Sequence, residues 1–476
     1  MTESIEGGCD PGRNKSADLT SYSTFLAFTS GTGLSVYRNV LLPAILTAEH
    51  EVILTTCFWA SSTTLNETIF TLKQLSSKAL ATNGTVKLKV YICFSSRSAL
   101  QKLFHTSSPN GYIYPSNTWT KKLGLPPPSE FPGLDIVVKS LFFRPFSVLH
   151  SKYLIIDREK VFLPSCNVSW EDWYECAIGF EGPVVRHVFD FWRDVWKPPG
   201  LADWRPRKQE DPGSLLDAID ADQVPAPRRR SLQTTLLPHP HNSSLGQALW
   251  LLPRQAEPAL PLTPLNITLL HLITNAKAEV IILTPNFTSQ QPFAAVCFAL
   301  LNGVDVRLIT NRRMMMLEQL VTAGMLTEQA VNRLVKEYRR GFSGRKIQRQ
   351  LAELKASVTL PDVHEAENKP LGSLEISYFC RPLPAASARA GADATEAGLG
   401  IASQADKSHV KLTLVDRKAI VLGSGNMDRA SWRTSQELGV LVEDQDEMGQ
   451  ATGAAGRMWE EIERGLEGCL ESYFES

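Results

Sequence analysis

The sequence predicts an α/β protein built from two copies of one unit, each a sheet covered by helices on both faces. Two observations carry this prediction and a third locates the function. Apolar strands alternate with helical stretches along the chain, the pattern of sheets buried on both sides. The same order of elements then recurs, with "EVILTTCFW" (51–59) answered by "EVIILTPNF" (279–287). Each copy also reaches a His-x-Lys segment, "HSKYLIID" (150–157) in the first and "HVKLTLVD" (409–416) in the second.

Residues 1–22 are polar and read as a flexible tail. They lack the apolar region of a signal peptide and the Arg-rich, acid-poor character of a transit peptide. The first unit spans 23–204. Its helix-like "NVLLPAILTAEH" precedes the strand at 51–59, and a helical segment leads to "VKLKVYICFSS" (86–96) and "LDIVVKSLFFRP" (134–145). The second unit spans 247–476 and repeats that order. "LNITLLHLITNAKA" leads into 279–287, then "VDVRLITNRR" (304–313) and "LEISYFCRP" (374–382). Between the units, 205–246 is rich in Pro, Ser and charge and reads as a linker or surface excursion. Residues 383–407 are small and low in complexity, a mobile loop just before the second His-x-Lys.

Composition narrows the field. The chain has 476 residues, 43% hydrophobic and 21% charged, as in ordinary globular proteins, with room for two or three cores. Its net charge of −1 supplies no global field for nucleic acid or an anionic membrane, so any anion must be held by a local patch. The eight cysteines are scattered without a CxxC pair, and several lie in apolar runs. They read as reduced, buried thiols of an intracellular protein, neither a zinc site nor a disulfide frame. No uninterrupted apolar run reaches the roughly 18 residues of a membrane span. The expected location is the cytoplasm, with contact at the surface of an intracellular membrane left open.

Side chains at i and i+2 of a strand share a face, so His150 points with Lys152 and His409 with Lys411. Each segment ends in Asp-Arg (Asp157-Arg158, Asp416-Arg417), and an apolar strand returns: "VFLPSCN" (161–167) and "AIVLGSGN" (419–426). Tight two-residue loops at Arg158-Glu159 and Arg417-Lys418 would set His150 opposite Asn167 and Lys152 opposite Ser165. The second hairpin would likewise set His409 opposite Asn426 and Lys411 opposite Ser424. In each copy the Asn follows the His by 17 residues. One such His on an apolar strand would pass for a satisfied core residue. Drift erases buried polar groups that only cost stability, so two matching sets argue for retained function.

Two Lys, two Asn and two Ser supply donors without a carboxylate cage for a metal, a surface suited to phosphate oxygens. Two facing imidazoles can divide a displacement at phosphorus. One attacks as nucleophile, and the other, protonated, gives its proton to the leaving oxygen. The lysines neutralise the phosphate, so no metal and no cofactor is called for.

His-x-Lys-x4-Asp followed by Ser-x-Asn, occurring twice, resembles the phospholipase D superfamily. That resemblance implies two pseudo-twofold α/β/α sandwich domains sharing one active site at their interface. It implies that His150 and His409 are nucleophile and general acid, with His150 as the attacking group. Lys152, Lys411, Asn167 and Asn426 would hold the phosphate, and Ser165 and Ser424 would line the substrate. Glu437 in "SQELGV" and Glu175 in "WYECAIGF" would be the acids that orient the histidines, while Asp157 and Asp416 would stabilise the turns. The second copy is most similar to cardiolipin-synthase-like, phospholipid-handling members. The first departs from the pattern, with Pro164 where the family commonly has Gly, and Cys166 as a small apolar filler.

Between 333 and 355 the chain carries eight Lys/Arg against two Glu, either a basic helix near the site or a solvated face. "HVFDFWRDVW" (187–196) has helical spacing and reads as core; the Trp of "SWEDWYE" (169–175) could meet a lipid interface. The expected protein is a monomeric phosphodiesterase or phosphatidyltransferase. It would cleave a phospholipid through a phosphohistidine and pass the phosphatidyl group to water or an alcohol. A nuclease of the same superfamily is the first alternative, since nucleic acid is the lesser expected partner. An inactive phosphate- or membrane-binding protein is the second.

Overall fold

The computed structural model describes residues 19–83, 86–98, 110–142, 148–197, 231–240, 260–357, 370–380, 407–443 and 453–476. The expected loop at 383–407 lies outside these residues except for Lys407. The first half contains β1 (Thr20–Thr32), β2 (Glu51–Phe58), β3 (Leu88–Ser96), β4 (Tyr112–Ile113), β5 (Leu134–Ser140), β6 (Tyr153–Ile156), β7 (Lys160–Pro164) and β8 (Trp173–Glu181). After β9 (Ser231–His239) come β10 (Glu279–Leu283), β11 (Asp305–Asn311), β12 (Leu374–Phe379), β13 (Lys407–Ser408), β14 (Leu412–Val415), β15 (Ala419–Gly423), β16 (Glu437–Glu443) and β17 (Leu470–Glu475).

Pairing runs β5-β3-β2-β6-β7-β8 in one half. It runs β12-β11-β10-β14-β15-β16 in the other, the same order with the same parallel and antiparallel neighbours. β1 and β9 join the two runs by pairing β8 to β1, β1 to β9 and β9 to β16. The halves therefore share one mixed sheet. Two expected boundaries change with it. Residues 231–239, placed in the linker, form the strand that closes the sheet, and the 1–22 tail gives way to β1 at Thr20.

Alternation along the strands sorts side chains into three cores. Val52 and Leu54 face the outer core of the first half, and Val280 and Ile282 that of the second. Ile53 and Ile281 turn the other way into a core common to both halves, which the helices Pro183–Trp196 and Ala454–Leu466 cover. Trp192 and Trp196 are fully buried there, as their helical spacing predicted. The basic run forms the helices Thr327–Arg339 and Arg345–Ser357 on the outer core of the second half. Arg333 and Arg339 lie over the rings of Phe293 and Phe474, at 4.5 and 5.3 Å. Among the described residues no helix is long and apolar enough to cross a membrane.

The hairpins exist, but their register differs from the expected one by one residue. Ile156 pairs with Lys160 and Val415 with Ala419, so three residues separate the strands instead of two. The cause is the Asp-Arg pair. Asp157 and Arg158 both adopt left-handed φ (51° and 60°), as do Asp416 and Arg417 (51° and 54°). Asp tolerates this region better than most residues because its short side chain can hydrogen-bond locally. Here each carboxylate accepts three backbone N–H groups from the start of a neighbouring strand. Asp157 takes those of Glu49, His50 and Glu51, and Asp416 those of Lys277, Ala278 and Glu279. Arg158 then forks onto Glu51, and Arg417 reaches Glu279 at 2.5 Å. The motif aspartates thus tie each hairpin to the strand beside it in the sheet.

Candidate active site

The shifted register leaves the His-x-Lys residues ahead of their strands, where they pair across the molecule. The N–H of His150 donates to the Gln436 carbonyl of the second half at 2.8 Å, and Leu149 bridges to Gln436. The N–H of His409 donates to the Tyr174 carbonyl of the first half at 2.8 Å, beside the parallel pairing of β13 with β8. This exchange brings the two imidazoles together, ring centroids 6.2 Å apart and nearly perpendicular.

The acids are exchanged in the same way. Nδ1 of His150 lies 2.9 Å from Glu437, and Nδ1 of His409 lies 2.9 Å from Glu175. A carboxylate at Nδ1 makes that nitrogen the N–H donor and leaves the lone pair on Nε2, the nitrogen available for chemistry. Ser165 and Ser424, expected to line the substrate, sit behind the acids instead. Ser165 donates to Glu175, and Ser424 to Glu437 at 2.5 Å; both hydroxyls are buried and committed. Ser431 adds a second donor to Glu437 at 2.7 Å. Sequence reasoning missed Ser431, whose only signal is its place between Asn426 and Glu437.

Lys152 and Lys411 each donate back to the carbonyl of their own histidine, at 2.8 and 2.7 Å, which fixes both ammonium groups beside the imidazoles. The asparagines differ. Oδ1 of Asn167 accepts from the Phe58 N–H at 3.1 Å, which turns its amide nitrogen outward. Asn426 spends its amide on Asp428 at 2.9 Å, and its Oδ1 is buried without a protein partner. Pro164 ends β7 opposite Ala177, where its missing N–H does not interrupt the motif. Cys166 packs in the outer core, and burial pushes its thiol far up, as suits a filler.

Burial sets the electrostatics and the neighbours divide it unequally. Burial drives the His409 imidazole well below its ordinary pKa, with Lys411 and Lys152 adding to the effect. Burial lowers His150 too, and Glu437 pulls it partly back. Glu175 is pushed up to about 7 by burial, against the pull of Lys411 and the Ser165 hydrogen bond. Burial would also raise Glu437, but His150 and the Ser424 and Ser431 hydroxyls outweigh it and hold that carboxylate below its usual range. Lys411 is pushed down to about 7 by burial and by Lys152. Two imidazoles of lowered proton affinity, one acid held ionised, one acid of raised proton affinity and two lysines can bind a phosphodiester and pass a proton across it.

A family model described as a cardiolipin synthase, PLD-like domain matches residues 380–459, which hold the second His-x-Lys, Asn426 and Glu437. The match covers the second copy of the doubled motif that closes around the His pair. Residues 380–459 are thus similar to a domain of the phospholipase D kind. The fold as a whole is similar to that of the crystal structure of phosphatidylserine synthase from Haemophilus influenzae Rd KW20, with a TM-score of 0.55 and 14% identity. That likeness covers 97% of this chain and 92% of the synthase. Polyphosphate kinase from Porphyromonas gingivalis is similar at a TM-score of 0.41 and 11% identity, over 93% of this chain and 55% of the kinase. No curated protein matches the sequence.

Proposed function

We propose that this protein is a phosphatidyltransferase of the phospholipase D superfamily. It cleaves a phospholipid phosphodiester through a phosphohistidine and hands the phosphatidyl group to an alcohol or water. The observation that carries the reading is the unequal pair of acids behind two equivalent histidines. Titratable groups pushed apart by their surroundings mark which member of a pair attacks and which donates. Glu437, held ionised, keeps the proton on Nδ1 of His150 and supports the cationic ring that forms when Nε2 bonds to phosphorus. Glu175, pushed up to about 7, keeps a proton beside His409. An arriving phosphodiester adds negative charge among Lys152 and Lys411, which raises the proton affinity of His409. His150 then attacks while Nε2–H of His409 protonates the leaving alcohol oxygen. Asn167 and the lysines steady the nonbridging oxygens.

The reading is supported by the cardiolipin-synthase description of the matched domain and by the likeness to a phosphatidylserine synthase. Vesicles of phosphatidylglycerol or phosphatidylcholine with ethanol test it, with single-stranded DNA in parallel. Phosphatidylethanol is the expected product. Cleaved DNA with untouched lipid would make the protein a nuclease. Turnover of neither, with anion binding intact, would make it a binding protein.

Anion affinity has a predicted pH dependence. Lys411 carries its charge below about 7 and sheds it above. Sulfate, a dianion throughout, should bind several-fold more weakly about one pH unit above that value than about one unit below. Titration calorimetry reads this directly, and Lys411→Met should reduce the dependence to the part that Glu175 contributes as it ionises over the same range.

A further inference from the structure

We propose that Trp173 selects the acceptor, keeping water away from His409 so that an alcohol takes the phosphatidyl group. The inference rests on the phosphohistidine reading above and extends it to the second half-reaction. Trp173 and Glu175 are two apart on β8 and so share a face of that strand. From that face Glu175 holds Nδ1 of His409 while the indole covers the imidazole, with centroids 4.9 Å apart and planes at 48°. Pairing of Trp173 with Lys407 fixes the indole's backbone beside the same segment. Among the described residues no indole or phenyl ring lies over His150 in this way. The residue two before its acid is Ser435, and the His150 side chain is 14% exposed against 4% for His409.

In the second half-reaction the acceptor oxygen attacks phosphorus and its proton passes to Nε2 of His409. The P–N bond breaks, and its electron pair returns to Nε2 of His150. A water poised for this step would need two to four polar partners. The indole face offers none on its side of the imidazole. An alcohol needs only one hydroxyl aimed at Nε2, and its carbon body gains apolar contact with the ring. The two acceptors are thereby separated by what surrounds the hydroxyl.

The test measures the ratio of alcohol to water product at fixed ethanol for wild type, Trp173→Ala and Trp173→Phe. On lipid the products are phosphatidylethanol and phosphatidic acid. On bis(p-nitrophenyl) phosphate they are the ethyl ester and the monoester. Trp173→Ala should lower the ratio several-fold, and Trp173→Phe should keep it near wild type. A fall in total turnover at an unchanged ratio would mean that the ring only props the imidazole, and would overturn the proposal. Wild type that splits the soluble diester and leaves lipid untouched would remove the lipid reading alone, because the ratio can still be read. If wild type turns over neither diester, both inferences fall.

Discussion

His150→Ala should lose at least about a thousandfold in turnover, because the variant lacks the proposed nucleophile. His409→Ala should fail differently. It retains the nucleophile, so with a p-nitrophenyl diester, whose leaving group needs no proton, it should form the phosphoenzyme and then stall for want of a base. Acid-quench labelling distinguishes the two: no labelled protein for His150→Ala, a persistent label for His409→Ala. Labelled His150→Ala would reverse the assignment of roles. Both variants should melt like wild type to within a few degrees, since the backbone bonds of residues 150 and 409 to Gln436 and Tyr174 survive the change.

Asp416→Ala should show the opposite profile, destabilised but still competent. Its carboxylate accepts the N–H groups of Lys277, Ala278 and Glu279, and Ala leaves those donors unpaired at the start of a central strand. Charged acceptors are worth more than neutral ones, but two of these donors are exposed and only that of Glu279 is partly buried, so a loss of roughly 1–2 kcal/mol is expected. Arg417→Ala, in the same turn, removes a half-exposed ion pair and should cost about 1 kcal/mol or less. Urea unfolding followed by fluorescence measures both. An Asp416→Ala protein as stable as wild type but without activity would place the aspartate in the chemistry instead.

The sequence made the doubled strands, the two His-x-Lys segments and both asparagines legible from local spacing, while both glutamates came only from the family resemblance. It did not reveal which acid serves which histidine. His150 and Glu437 are 287 positions apart, and nothing local distinguishes that pairing from the one within a half. The hairpin register slipped because two-residue loops ordinarily announce themselves with Gly or Asn. Here Asp157 and Arg158 take left-handed backbone for the sake of contacts made elsewhere. Ser165 and Ser424 face away from the opening because their hydroxyls are bound to buried carboxylates, an orientation fixed by packing. β9 was obscured because "SLQTTLLPH" emerges from a stretch dominated by Pro and Arg. Trp173 was readable in principle, since the period-two rule that paired His with Lys also pairs it with Glu175.

The exchange of acids has a consequence for how the protein comes into being. Chains are synthesised from the N-terminus, and domains tend to fold as they emerge. His150 leaves the ribosome long before residue 437 exists, so it spends that interval without the carboxylate that fixes its tautomer. On the proposed mechanism the attacking group therefore gains its orienting acid only when β16 docks beside β9. A truncated product, whatever its first half manages to fold, carries a histidine with no partner to aim it. Arrival of the last strands doubles as the safety catch on the first ones.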